Sequence, residues 1–187
     1  PYILFREKYY AALKKKQSSI EAISISSYSL ANSEVDSRFV NLKYVDDKRF
    51  IFFSNYDSPK ASAFKSNNQI AALIYWSSIN VQIKMKAQIK KTSKEFNQKY
   101  FYDRSEKKNA LAISSYQSKQ IDSYKEVKAR YNKVLKSDDL KKCPDYWGGF
   151  SFIPYYFEFW EGNESRINKR EVFNKIDNIW QHSILQP

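Results

Sequence analysis

Arg166, Asn168 and Arg170 sit two residues apart near the end of a 187-residue chain. On one β-strand that spacing projects all three side chains to the same face, where two guanidiniums can grip an oxyanion or lie over a planar ring. A solvated strand face with paired charges has the same pattern, so the neighbours decide. All three glycines and three of the four tryptophans lie from Tyr146 onward, most of them in Tyr146-Trp147-Gly148-Gly149-Phe150 and Glu158-Phe159-Trp160-Glu161-Gly162. Glycine averages about 7% of protein sequence. A chain this poor in it keeps it where the backbone needs positive φ or close approach.

The same scarcity excludes glycine-cradled phosphate sites, because neither GxGxxG nor GxxxxGK[ST] occurs in the chain. A bound phosphate must therefore be held by side chains. A single histidine, His182, and a single cysteine, Cys143, leave almost nothing from which to build a His/Cys metal site or a Cys/His nucleophile pair. His182 reads as a surface residue of a terminal strand and Cys143 as an ordinary small residue. The acidic pairs Asp46-Asp47 and Asp138-Asp139 read as turns rather than catalytic carboxylates.

With 42% hydrophobic and 17% aromatic residues, the chain can fill one sizeable core, and a single domain over residues 1–187 is expected. The formal charge of +12 favours anionic partners, although the lysines are scattered and runs such as Lys14-Lys15-Lys16 read as a solvated helix face. The longest apolar run, Ile70 to Trp76, is far short of the roughly 20 residues that cross a bilayer. With no leader and a lone cysteine, the expectation is a soluble, cytoplasmic protein without membrane attachment. Pro1 in first place suggests an N-terminus that is trimmed or incomplete.

These residues need elements to hold them. Tyr2, Phe5, Tyr9, Ala12 and Leu13 recur at helical spacing and predict an amphipathic helix over 2–17. Strand-like runs follow at 22–28, 37–45 and 48–55. Ser58 as cap and Pro59 at the first helical position start a short helix to about Asn67. Ile70 to Trp76 reads as a buried strand. From Ile79 to Lys90 apolar and polar residues alternate, the clearest strand in the chain, with Gln82, Lys84 and Lys86 on its outer side. Thr92-Ser93-Lys94-Glu95 matches a capping box before a helix carrying Phe96, Tyr100 and Phe101. A longer helix should run from about Ile121 to Lys136, with loop before it, and Lys136 to Pro144 reads as a surface loop. Four C-terminal strands over about 146–187 should finish the chain, with a hairpin turn near Asp177-Asn178. Short strands without β-α-β alternation predict a mainly β, α+β architecture: an antiparallel barrel with peripheral helices.

The two Trp-Gly segments and Arg166 through Arg170, with Phe53-Ser54-Asn55-Tyr56, Ser58, Lys60, the Gln82 strand, Tyr100-Phe101, Arg104 and Gln117-Ser118 upstream, resemble the pyridoxamine (pyridoxine) 5′-phosphate oxidases in order and spacing. The resemblance covers about residue 20 to the end. It implies an antiparallel FMN-binding split barrel, working as a homodimer with FMN at the subunit interface. By matching position, Arg38, Ser54 and Lys60 would hold FMN around its phosphate, Phe53 would belong to the cofactor site, and Gln82, Gln117, Ser118, Trp147 and Arg170 would contact flavin or ribityl groups. Lys43, Tyr100, Arg104 and Lys108 would take the substrate phosphate. Arg166 would cover the substrate ring and, with Asn168, form the catalytic pair. The implied reaction oxidises pyridoxamine or pyridoxine 5′-phosphate to pyridoxal 5′-phosphate, with O2 reduced to H2O2.

The chain departs from the family's pattern at identifiable places. Pro59-Lys60 replaces an Arg-Lys pair, Lys108 stands where the family has serine, and Ile184-Leu185-Gln186-Pro187 lacks an arginine. Arg166-Ile167-Asn168-Lys169-Arg170 has asparagine and lysine where the family has histidine and aspartate, so a residue that can become cationic is lost and one charge is reversed. A second reading follows: a split-barrel flavoprotein that binds FMN or a B6 phosphate for storage or sensing, with altered or no oxidase activity. A third, a basic nucleic-acid-binding barrel stacking bases on exposed aromatics, rests only on charge and tyrosine content, and no nucleic-acid partner is expected.

Overall fold

The computed structural model describes residues 1–136 and 139–187. Eight strands, β1 (Ala22–Ser29), β2 (Glu34–Asp46), β3 (Arg49–Asn55), β4 (Gln69–Trp76), β5 (Val81–Lys91), β6 (Trp147–Glu161), β7 (Lys169–Ile176) and β8 (Ile179–Leu185), form one antiparallel sheet in the order β3-β2-β1-β4-β5-β6-β7-β8. A further β3–β6 pairing closes the first six strands into a barrel. Strand β5 shows the cause most plainly: Val81, Ile83, Met85, Ala87 and Ile89 are all buried, and the intervening residues face outward. Phenylalanine and isoleucine fill most of the interior, with Phe50 stacked on Phe152 at 5.2 Å and Phe157 on Phe159 at 5.8 Å.

The long strand β6 does the work assigned to two strands, so three strands rather than four end the chain. Its first part, Trp147 to Phe152, pairs with β3, and its last part, Tyr156 to Glu161, pairs with β7. The change of partner falls at Pro154, where the register against β5 slips by one residue. Proline lacks the ladder donor and is tolerated at such a bulge. No glycine has positive φ. Gly148 is required instead by close approach, because a Cβ there would run into the Tyr56 hydroxyl and the Asn97 amide.

Helix α1 (Tyr2–Lys14) ends three residues earlier than expected and packs Phe5 edge-on to Phe50 at 5.1 Å, over one end of the barrel. Helix α2 (Pro59–Ser66) starts where Ser58-Pro59 places it, but the Ser58 hydroxyl donates to the Asn55 carbonyl (2.7 Å) instead of capping. Helix α3 (Lys94–Asp103) is capped by Ser93, whose oxygen accepts from the Phe96 N–H (3.2 Å). Thr92, the expected cap, donates instead to Asn97 (2.5 Å). Helix α4 (Glu106–Ser114) was expected to be loop, and α5 (Tyr124–Leu135) packs against it.

Two further expectations change. Strand β4 is not buried on both sides: Ile70, Ala72, Ile74 and Trp76 point in, while Leu73 and Tyr75 are exposed. Arg166 and Asn168 do not share a strand with Arg170, since β7 begins at Lys169 and Arg166 lies in a turn with φ 62°. The Asp177-Asn178 hairpin forms as expected, both residues having positive φ as a tight two-residue turn requires. Asp47 lies in a turn with φ 52°, whereas Asp138 and part of the Lys136–Pro144 loop lie outside the described residues.

Candidate functional site

A cleft of about 720 Å³ opens between β2, β3, the start of α2, the end of α3, α4 and the start of β6, a size suited to a cofactor or small ligand. It brings together Arg38, Lys43, Phe53, Ser54, Lys60, Tyr100, Arg104, Lys108, Gln117, Ser118 and Trp147. Five cationic side chains line it against one carboxylate, Asp36. A concave surface with that balance attracts anions.

Each strand and helix contributes for a local reason. Lys43 occupies a β-bulge between Leu42 and Tyr44 in the β2–β3 ladder, the irregularity that turns a side chain away from its regular direction. Lys60 is 8% exposed and follows Pro59 in the first turn of α2; its Nζ donates to Ser54 Oγ (3.0 Å) and Ser58 Oγ (3.3 Å), with no carboxylate among its hydrogen-bond partners in the described residues. Burial, helped by the Arg38 charge and opposed by Asp36, pulls its pKa down to about 8. Arg38 is anchored by donating to Ser27 Oγ (2.8 Å) and the Ile25 carbonyl (3.2 Å), and it pairs with Asp36. Gln117 Oε1 accepts from Ser54 Oγ (3.4 Å) and the Asn55 N–H (3.3 Å), which ties the loop after α4 to β3.

The cleft wall is aromatic. Phe53 stacks on Tyr100 at 3.7 Å and 7° and lies parallel to Trp147 at 5.2 Å and 12°. The Arg104 guanidinium sits over the Trp147 ring at 4.8 Å. Among the described residues buried Arg104 Nη1 has no hydrogen-bond partner, and burial lowers this group's pKa from its usual value. A guanidinium with an unsatisfied donor on the cleft that Lys43 and Lys108 also line suits an anion with several acceptor oxygens.

Four expected residues lie elsewhere. Gln82, Trp160 and Arg170 are register partners across β5, β6 and β7 and so share one face of the sheet. That face is the outer one, because the neighbouring Val81, Ile83 and Phe159 point into the core. Arg166 is exposed on the turn before β7, and Asn168 Oδ1 accepts from the Asn163 N–H (3.0 Å) within the same turn. The cations of the cleft and the amide, indole and guanidinium of the outer row thus occupy different parts of one chain.

Residues 10–137 match the family described as pyridoxamine 5′-phosphate oxidase, and residues 147–187 match the pyridoxine 5′-phosphate oxidase C-terminal dimerisation region. The chain belongs to the pyridoxine/pyridoxamine 5′-phosphate oxidase family. Family members similar to it include the pyridoxine/pyridoxamine 5′-phosphate oxidase 1 of Hydrogenovibrio crunogenus, 32% identical over all of this chain and 88% of that protein. The corresponding oxidase of Rhodopirellula baltica is 31% identical over all of this chain and 87% of its own length. The fold agrees with that of PhzG from Burkholderia lata, solved with tetrahydrophenazine-1-carboxylic acid (TM-score 0.93, 22% identity, 100% of this chain and 92% of that one). It also agrees with an FMN-binding protein of Nostoc punctiforme related to the family (TM-score 0.82, 11% identity, 98% and 97%). The barrel is the split barrel of this oxidase family, and the dimerisation match, which contains β6, β7 and β8, supports homodimer formation.

Two residues that the sequence reading did not single out belong to the outer face of this family member. Trp160 lies directly between Gln82 and Arg170, and Glu158 accepts from Arg170 Nε (3.0 Å) and Nη2 (2.7 Å). Both sit in the Glu158-Phe159-Trp160-Glu161-Gly162 segment that the sequence marks out. Their alternation along β6 was the available signal.

Proposed function

We propose that the protein is an FMN-dependent oxidase that converts pyridoxamine or pyridoxine 5′-phosphate to pyridoxal 5′-phosphate. The observation that supports this reading most is the gathering of eleven candidate residues, spread from Arg38 to Trp147, on one cation-rich cleft. The donor set suits a phosphorylated cofactor beside a phosphorylated substrate: Lys60, held by two hydroxyls, calls for phosphate oxygens of the one and Arg104 Nη1 for those of the other, and no glycine cradle is present to compete.

In this reading Arg38, Ser54 and Lys60 hold the FMN phosphate, with Phe53, Gln117, Ser118 and Trp147 along the cofactor. Gln82 and Arg170 approach it from the partner protomer, an arrangement consistent with their lying outside the cleft. FMN, when bound, would supply a two-electron acceptor for the hydride of the substrate's C4′ carbon; with the proton lost by the substrate's hydroxyl or amine the electrons would go on to O2 as H2O2, and the imine left by pyridoxamine phosphate would take up water and release ammonium. Lys43, Tyr100, Arg104 and Lys108 hold the substrate phosphate, the three cations also neutralising it, and Arg166 covers the pyridine ring. Asn168 supplies a hydrogen bond but no proton that would leave it charged. The chain's contribution is to orient two rings and compensate two phosphates, which needs no catalytic histidine.

The test is to load the protein with FMN, record the flavin absorbance, and add each B6 phosphate without oxygen and then with it. Bleaching followed by peroxide release is expected; FMN that binds and stays oxidised with both substrates refutes the oxidase. That result would favour a carrier or sensor of FMN or a B6 phosphate, a reading supported by the engagement of Asn168 in its own turn. A colourless protein that refuses added FMN overturns both.

A further inference from the structure

Among the described residues Glu158 is the one buried carboxylate, 4% exposed, although it lies on the outward-facing side of β6. Four donors hold it. Oε1 accepts from Arg170 Nε (3.0 Å) and Nη2 (2.7 Å), and Oε2 accepts from the Tyr156 hydroxyl (2.9 Å) and Lys84 Nζ (2.5 Å). Burial would raise its pKa, but the bonds from Lys84, Arg170 and Tyr156 outweigh this and hold it down at about 2, so it is ionised throughout the physiological range. Arg170 is fixed from a second direction too, since its Nη1 donates to the Gln186 carbonyl (3.0 Å). A guanidinium has five N–H donors, so these bonds leave two free beside the Trp160 indole and the Gln82 amide.

We propose that Glu158 is a positioning residue that locks the Arg170 guanidinium and cancels one of two adjacent positive charges, so that this face offers the flavin directed donors with limited net charge. The inference rests on the flavin reading above. A surface ion pair would be worth little, but a fully enclosed carboxylate with four donors is hard to move, and removing its charge leaves Arg170 and Lys84 uncompensated. Two uncompensated cations favour the electron-rich, reduced state of a nearby flavin. Glu158 therefore sets both how Arg170 is aimed and how readily the flavin is reduced.

Two substitutions separate this role from a merely structural one. Glu158→Gln should raise the FMN dissociation constant about tenfold, as loss of a residue that orients a ligand-binding group does, and should move the flavin midpoint potential to more positive values. Lys84→Met removes a cation whose side chain is 40% exposed. It should change FMN affinity by no more than about fivefold and move the potential in the opposite direction. Val172→Ala, which trims the buried neighbour paired with Glu158, should lower Tm without moving the potential. The measurements are FMN fluorescence titration and spectrophotometric redox titration of the loaded protein. Wild-type-like affinity and potential in Glu158→Gln overturn the positioning role alone. Wild-type protein that takes up no FMN overturns this inference together with the flavin reading. Should Glu158→Gln fail to fold, Lys84→Met decides: a negative shift supports the proposal and an unchanged potential overturns it.

Discussion

Lys60 offers a measurable pH dependence. In the ligand-free protein its ammonium lies beside Ser54 and Ser58, with its pKa lowered to about 8 by burial and by the Arg38 charge. A phosphate dianion in the cleft reverses that environment and restores the group to the usual lysine range, near 10.4. Binding then requires a proton that the free protein has partly lost above pH 8. At pH 7 about a tenth of Lys60 is neutral and at pH 9 about nine-tenths, so the FMN dissociation constant should rise about tenfold between them. The sign is opposite for the stability of the ligand-free protein. The folded pKa is below the unfolded one, so the unfolded chain holds more protons between about pH 8 and 10.4, and the Lys60 contribution to stability improves as pH rises through that window. Lys60→Met should weaken FMN binding at pH 7 by about ten- to a hundredfold, the value of one charge-assisted hydrogen bond. It should also abolish the pH dependence between 7 and 9 without lowering Tm, because an unpaired buried ammonium is removed. Fluorescence titration of FMN at pH 7, 8 and 9 checks all of this; a dissociation constant that stays flat in the wild type refutes the reasoning.

Arg104→Lys keeps a positive charge but loses the planar fork over Trp147, so KM for the phosphorylated substrate should rise about tenfold or more while FMN affinity holds; steady-state kinetics and FMN titration separate the two. Gly148→Ala drives a methyl into the Tyr56 hydroxyl and the Asn97 amide and should cost about 1–3 kcal/mol, read as a lower denaturant midpoint. Asn109 is fully buried and its Nδ2 donates to the Phe101 and Leu140 carbonyls, both at 2.8 Å. Asn109→Ala should cost about 2–3 kcal/mol and lower Tm by about 5–10 °C in calorimetry.

How much of this was legible in the sequence depends on the range of the interaction responsible. The alternation in β5 and the Asp177-Asn178 turn are local, and both were readable. Helix α4 was not, because Ala110, Leu111, Ala112 and Ile113 form one short apolar run instead of a stripe at helical spacing. The Gly148-Gly149 pair and Pro154 look like strand breakers, and only the barrel explains why β6 runs through them: glycine admits Tyr56 and Asn97, and proline falls where the strand exchanges β3 for β7. Trp160 and Glu158 went unassigned because their partners are fixed by long-range register, which single-strand alternation does not reveal.

The segment from Arg166 to Arg170 shows how a spacing rule fails. Alternate positions share a face only if the backbone is extended throughout, and here the left-handed φ of Arg166 ends that condition two residues before Asn168. The turn is held by Asn163 Oδ1, which accepts from the Ser165 N–H (2.9 Å), and by Asn168 Oδ1, which accepts from the Asn163 N–H. Short amide side chains suit such turns, and a chain with only three glycines places other residue types in its left-handed positions. Asparagine at 168 therefore has a local structural reason. Lysine at 169 has one as well, because it pairs with Glu171, whose other oxygen faces His182 on β8 (3.0 Å). Asn168 and Lys169 are thus accommodated by their immediate neighbours, whereas among the described residues lining the cleft only Asp36 is a carboxylate to balance its cations. That contrast places the demand for a ligand in the cleft rather than on the loop carrying Arg166.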